Sequence, residues 1–91
     1  MNNERRKAIK GFIERINKLN EEITALQEEV QEIHDAEEEA FENLPEGIQD
    51  SERGENMQSA MDALDSVDCD FDSVTDALEN ITEQLEEAMG Y

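Results

Sequence analysis

The segment Asp68-Cys69-Asp70-Phe71-Asp72-Ser73-Val74-Thr75-Asp76-Ala77-Leu78-Glu79 places acidic side chains at positions 1, 3, 5, 9 and 12 of a twelve-residue window. That is the ligand spacing of a calcium-binding loop. Two positions break the pattern: Ser73 stands where the loop's sharp turn needs Gly, and Thr75 where an apolar residue is usual. An apolar heptad also runs straight through the segment at Phe71, Val74 and Leu78. A chain cannot be a continuous helix and a calcium loop at once, so a helix is expected here. His34 with Glu37 and Glu38 has the helical spacing of a metal site, but no second histidine supports it, and a structural role is expected. Cys69 lies opposite the apolar positions between Asp68 and Asp70, a poor setting for a nucleophile. There is no Ser/His/Asp set, no Gly-rich phosphate loop, no paired zinc ligands and no aromatic stacking platform. The sequence therefore predicts no enzyme, no metal and no cofactor.

A second arrangement of carboxylates does stand out. Asp62, Asp65, Asp72, Asp76, Glu79, Glu83 and Glu86 recur at helical spacing, out of phase with Leu64, Val67, Phe71, Val74, Leu78, Ile81 and Leu85. On a helix this makes an apolar seam and a row of acids. At a rise of about 1.5 Å per residue the acids stand about 5 Å apart, the same order as the charge spacing of a nucleic-acid backbone.

The elements that hold this row are set by heptads. Ile9, Phe12, Ile16, Leu19, Ile23, Leu26, Val30 and Ile33 keep an unbroken three-four spacing, and the pattern then drifts through Glu37, Ala40, Phe41 and Leu44. Leu44-Pro45-Glu46-Gly47 reads as a turn, with Ile48 folding back over the helix ends and Asp50 or Ser51 capping the second helix. Gly54 makes the first turn of that helix soft. Met57, Ala60, Leu64, Val67, Phe71, Val74, Leu78, Ile81, Leu85 and Ala88 form the second seam, ended at Met89-Gly90-Tyr91. The expected fold is all-α: a long antiparallel coiled-coil hairpin with helix 3–44, turn 45–50 and helix 51–89. Positions flanking the seams are small or apolar (Ala8, Ile13, Ala36 and Phe41; Met61, Ala63, Thr75, Ala77, Thr82 and Met89) where a two-stranded coil usually carries Glu and Lys. The widened stripe predicts a homodimer forming a four-helix bundle.

Composition narrows the partners. The 91 residues carry a net charge of −19 with 36% hydrophobic content and no Trp, so one small domain without a thick core is expected. A lone Cys fits a reducing compartment, and the charged N-terminal residues hold no apolar run of signal or membrane length, which predicts a cytoplasmic protein. Such acidity repels nucleic acid and anionic lipid and favours a basic protein surface. Charge is uneven. Residues 1–18 hold six basic and two acidic side chains, whereas the rest holds Arg53 against 24 acids. In a hairpin the basic start can meet Glu79, Glu83, Glu86 and Glu87, leaving the turn half uncompensated.

The segment Phe41-Glu42-Asn43-Leu44-Pro45-Glu46-Gly47-Ile48-Gln49-Asp50-Ser51-Glu52-Arg53-Gly54-Glu55-Asn56-Met57, followed by acidic A-x-D-x-L heptads, resembles small uncharacterised acidic coiled-coil proteins of phages, prophages and mobile elements of Gram-positive bacteria. The resemblance covers the turn and most of the second helix and implies a phage-linked origin. It brings no active residues with it. Small acidic phage proteins of other families mimic DNA against host restriction or CRISPR systems, an analogy of charge and fold alone. The leading expectation is thus a DNA-mimic-like inhibitor that binds a basic, nucleic-acid-binding surface of a host defence protein in the bacterial cytoplasm. Its contact residues would be Asp62, Asp65, Asp68, Asp70, Asp72 and Asp76 with Glu28, Glu32, Asp35, Glu39 and Glu42. The alternatives are an assembly module whose seam recruits partner helices and a calcium-binding helical protein.

Overall fold

The computed structural model describes residues 1–90; Tyr91 lies outside them. It is all-α: α1 (Asn3–Glu42), α2 (Glu46–Gln49) and α3 (Glu52–Met89), with no strand among the described residues. α1 starts where Asn2 Oδ1 accepts the Arg5 amide at 2.9 Å, satisfying one of the donors a helix start leaves over. α3 stops at Gly90, whose φ of +62° breaks the helix. The segment 68–79 is helical throughout, which excludes the calcium-loop conformation.

The turn is more built than its Pro and Gly suggest. α1 ends at Glu42, two residues before the expected end, and α2 fills the region expected to be a plain turn. Pro45 precedes α2 with φ −57° and ψ 146°, and its carbonyl accepts the amides of Ile48 and Gln49 at 2.8 and 3.1 Å. The Gln49 side-chain amide donates to the carbonyls of Phe41 at 3.3 Å and Leu44 at 3.1 Å, near the end of α1. Ser51 donates its hydroxyl to the Ile48 carbonyl, and its own carbonyl accepts the Glu55 amide at 2.9 Å. Ile48 does not fold back over the helix ends but remains exposed. Gly54 provides the close approach: it is buried, and a Cβ there would collide with the backbone carbonyl of Gln49.

The chain forms two compact units, Met1–Ala25 with Phe71–Tyr91 and Leu26–Asp70. In the first, the start of α1 runs antiparallel to the end of α3. Arg6 marks the register: its guanidinium donates to the carbonyls of Met89 at 3.0 Å and Gly90 at 3.4 Å, groups that a helix C-terminus leaves without partners. In the second, the end of α1 and the start of α3 are joined by the turn and pair antiparallel, with Gln27 Nε2 donating to Asp68 Oδ1 at 3.0 Å.

The packed edge differs from the expected seam. Ile9, Ile16, Ile23 and Val30 on α1 and Met57, Leu64, Phe71, Leu78 and Leu85 on α3 are covered, as the heptads predict. The other expected core positions are not. Phe12 is 47% exposed and Ile33 62%, and Leu19, Leu26, Val67, Val74 and Ile81 are exposed with them. Their place is taken by Ile13, Asn20, Gln27, His34 and Phe41 on α1 and by Met61, Asp68, Thr75, Thr82 and Met89 on α3, all half-buried. The apolar stripe is wider than one neighbouring helix can cover, and each helix offers one edge of it. Both helices offer the same edge. In an antiparallel pair related by a local two-fold, the unused positions of the two then fall on one side. Phe12, Leu19, Val74 and Ile81 share that side of the first unit; Leu26, Ile33 and Val67 share it in the second. Ile9, at 9% exposure, is the only buried hydrophobic residue among those described, and none is fully buried.

The glycines separate packing from helix propensity. Gly54→Ala should lower stability by roughly 1–3 kcal/mol, because the turn backbone has to move. Gly11→Ala, where an added Cβ meets nothing within 4 Å, should raise it by about 1 kcal/mol. Thermal and urea unfolding followed by circular dichroism measures both; equal effects would contradict the turn packing described.

Candidate functional site

Carboxylates dominate the surface, and the second unit carries most of the uncompensated ones. Leu26–Asp70 holds sixteen acidic residues and Arg53, a net −15; the first unit holds ten acidic and six basic residues, a net −4. Like charges three or four residues apart on a helix cost a few tenths of a kcal/mol each. The apolar edge in the second unit therefore holds together helices whose surfaces repel.

The expected contact residues do not form one row. Asp62 and Asp65 on α3 and Asp35 and Glu42 on α1 come together on one side of the second unit, the side away from Leu26, Ile33 and Val67. Glu28 shares the helical row of Asp35 and Glu42, at seven-residue spacing. Glu32 and Glu39 occupy a neighbouring row that turns away from the partner helix. Asp70 borders the exposed apolar row. Asp68 is half-buried in the packed edge, where it accepts the Gln27 bond; this draws it out of the surface set. Asp72 and Asp76 are exposed and belong to the first unit.

His34 is the centre of the acidic side. Its Nδ1 lies 3.3 Å from Asp35 Oδ1 and 3.9 Å from Glu38 Oε2, and its Nε2 lies 3.1 Å from Asp65 Oδ1 on the facing helix. Gln31 Nε2 donates to the same Asp35 oxygen at 3.0 Å and steadies it. The Asp35 hydrogen bond pushes the His34 pKa above 6.5; the charges of Asp65, Glu38 and Asp35 add to this and outweigh desolvation, which opposes it. An imidazolium here donates from both nitrogens and ties α1 to α3 by charge-assisted bonds. Glu38, Glu42, Asp62 and Asp65 line the groove around it with Phe41, Gln58 and Met61. His34, Asp35 and Glu38 can bring ligand atoms within 4.8 Å of one another, but two of the three are exposed side chains of one helix, and the imidazole is already engaged across the pair.

The expectation of a structural role for His34 does not extend to its bridge to Asp65, and the Gln27–Asp68 bond is new to the structure. A signal is present in the sequence: Asn20, Gln27 and His34 are polar residues at seven-residue spacing beside an apolar row. Their periodicity marks a polar edge of a helix contact. Of the basic start, Arg6 reaches the terminal carbonyls of α3 and not the expected carboxylates Glu79, Glu83, Glu86 and Glu87.

Fold and site together define an acidic, all-α helical hairpin protein. No described helix is long and apolar enough to cross a membrane. Comparison with known proteins finds no matching family model, no matching curated protein and no matching solved structure.

The bridge predicts a pH dependence of definite sign. A histidine whose pKa is raised by folding stabilises the folded state below its unfolded value of 6.5, and this contribution is lost as pH rises through the higher folded value. His34→Gln should flatten the fall in melting temperature between the wild type's readings at about pH 6 and pH 8. A titration of the imidazole by NMR with a midpoint at or below 6.5 would show that the bridge does not hold in solution.

Proposed function

We propose that this protein is a non-enzymatic, phage-encoded inhibitor that presents spaced negative charge to a basic, nucleic-acid-binding surface of a host defence protein in the bacterial cytoplasm. The observation that carries this reading is the net −15 of the second unit, most of it on exposed side chains held by two helices. Helical carboxylates are rigidly spaced, unlike those of an acidic disordered tail, so a cationic groove meets them without ordering a flexible chain. Asp62, Asp65, Asp35 and Glu42 form the centre of the contact; Glu28, Glu32, Glu39, Asp70, Asp72 and Asp76 extend it. Asp68 supports the hairpin instead. The reading also includes self-association: two hairpins join in a four-helix bundle, with the acidic sides outward.

A second reading, an assembly module that recruits partner helices, is favoured by one observation, the exposed row of Phe12, Leu19, Leu26 and Ile33. The two readings separate by which residues matter. Joint reversal of Asp62, Asp65, Asp72 and Asp76 to Lys should abolish capture of a basic protein from bacterial lysate. Capture by the unaltered protein should fall at least tenfold, as an order of magnitude, between about 50 and 200 mM salt and should yield to competing duplex DNA. Reversal of Glu32 and Glu39, which face away from the partner helix, should weaken it less. Capture that survives reversal of the four aspartates would sink the inhibitor reading, and capture lost only on Leu19→Glu would favour the assembly module.

A further inference from the structure

We infer that the exposed apolar rows are the seat of a second copy of this chain, laid antiparallel, so that the first unit of each copy rests on the second unit of the other. This rests on the self-association proposed above and adds its face and its direction.

The rows themselves call for an occupant. Phe12, Leu19, Leu26 and Ile33 repeat every seven residues along α1, and Val67, Val74 and Ile81 along α3. In each unit the two rows share a side, with Ala8, Ala36, Ala63 and Ala77 at the adjoining positions. Small neighbours let another helix approach closely. Over the two units the seven larger side chains expose on the order of 500 Å² of apolar surface, within the range of the patches that mark interaction sites. With the alanines and side-chain stems beside them they approach the roughly 800 Å² per partner of a stable interface.

Two features make the occupant a second copy and set its direction. The rows are complementary to themselves. An antiparallel copy of α1 lays Phe12 on Ile33 and Leu19 on Leu26; an antiparallel copy of α3 lays Val67 on Ile81 and Val74 on its own counterpart. Charge then chooses between the two ways of stacking hairpins. Stacked with the turns together, the −15 units of both copies would face each other. Stacked head to tail, each −15 unit meets the unit that carries six basic residues and only −4. Arg15, which adjoins the apolar row, then comes level with Glu29 of the second copy. A foreign basic partner has no corresponding reason to cover an apolar side when the carboxylates lie on the other.

Sedimentation equilibrium and disulfide trapping test this without any target protein. The chain should sediment at twice its mass of 10.4 kDa, and Leu19→Glu should weaken the association at least tenfold, as an order of magnitude. In a Cys69→Ser background, oxidised Val74→Cys protein should form a disulfide-linked dimer that keeps its helicity. Phe12→Cys protein should link to Ile33→Cys protein in a mixture and not to itself. A monomer at all concentrations would overturn self-association altogether. A dimer in which Val74→Cys does not link, or in which Phe12→Cys links to itself, would overturn the antiparallel arrangement alone. Because no target enters these measurements, failure of the inhibitor reading leaves their outcome untouched.

Discussion

The helices meet along one edge of an apolar stripe that is too wide for one neighbour. Ile9, Ile16, Ile23 and Val30 are common to both possible edges, so they do not determine which edge is used. Using the edge with Phe12, Leu19, Leu26 and Ile33 would cover more hydrocarbon. It would also forfeit the Gln27–Asp68 and His34–Asp65 contacts and turn Ile13, Phe41, Met61 and Met89 outward. Polar pairs at a helix contact are modest in net stability, near 1 kcal/mol each, but a wrong register leaves their members unpaired. They mark the register within each unit: Arg6 against the end of α3 in the first, and Gln27, His34 and the Gln49 turn in the second.

Charge acts against this pairing everywhere except at the basic start. In the second unit sixteen acids surround a contact made by a few half-buried side chains, with Arg53 and, when it is protonated, His34 as the cations available. The placement of His34 is a response to that shortage. A lysine in its position would be held on a flexible stem, whereas an imidazolium donates in two directions from a rigid ring, toward Asp35 on its own helix and Asp65 on the other. The same shortage explains why the turn is built from Gln49 amide bonds and a buried Gly54 instead of ion pairs. Neutral hydrogen bonds to backbone carbonyls are indifferent to the surrounding negative field, and they fix the angle at which α3 leaves the turn.

Much of the architecture is legible in the heptads. They place α1 and α3 within two residues of their observed ends, and the helix through residues 68–79 comes from Phe71, Val74 and Leu78 overriding a tempting ligand spacing. The heptads cannot separate the two edges of the stripe. Phe12 and Ile13 are adjacent in sequence and both apolar, so the pattern does not choose between them; in the second unit the bonds of Gln27, His34 and Asp68 lie on the edge that is used. The carboxylates are legible as residues but not as a surface. Asp68 and Asp65 are three residues apart, yet one is drawn into the contact by Gln27 and the other stays exposed against His34. Gly54 looks in the sequence like a soft start to α3, and its role emerges only with the backbone of Gln49 lying against it.

The choice of edge also bears on function. The side chains left uncovered by the pairing and the carboxylates gathered around His34 fall on opposite sides of the second unit. Had the helices met through Leu26, Ile33 and Val67, Gln27, His34 and Asp68 would face outward beside the acids, and the uncovered apolar side chains Phe41 and Met61 would lie among them. With the observed edge, the apolar side can be covered without masking Asp62, Asp65, Asp35 or Glu42. Hydrophobic burial strengthens little with salt while charge recognition weakens steeply, so the two surfaces answer to different conditions. The proposed self-association would therefore hold at an ionic strength that releases the proposed basic target. Separate surfaces of this kind also let a mutation remove one property and leave the other measurable.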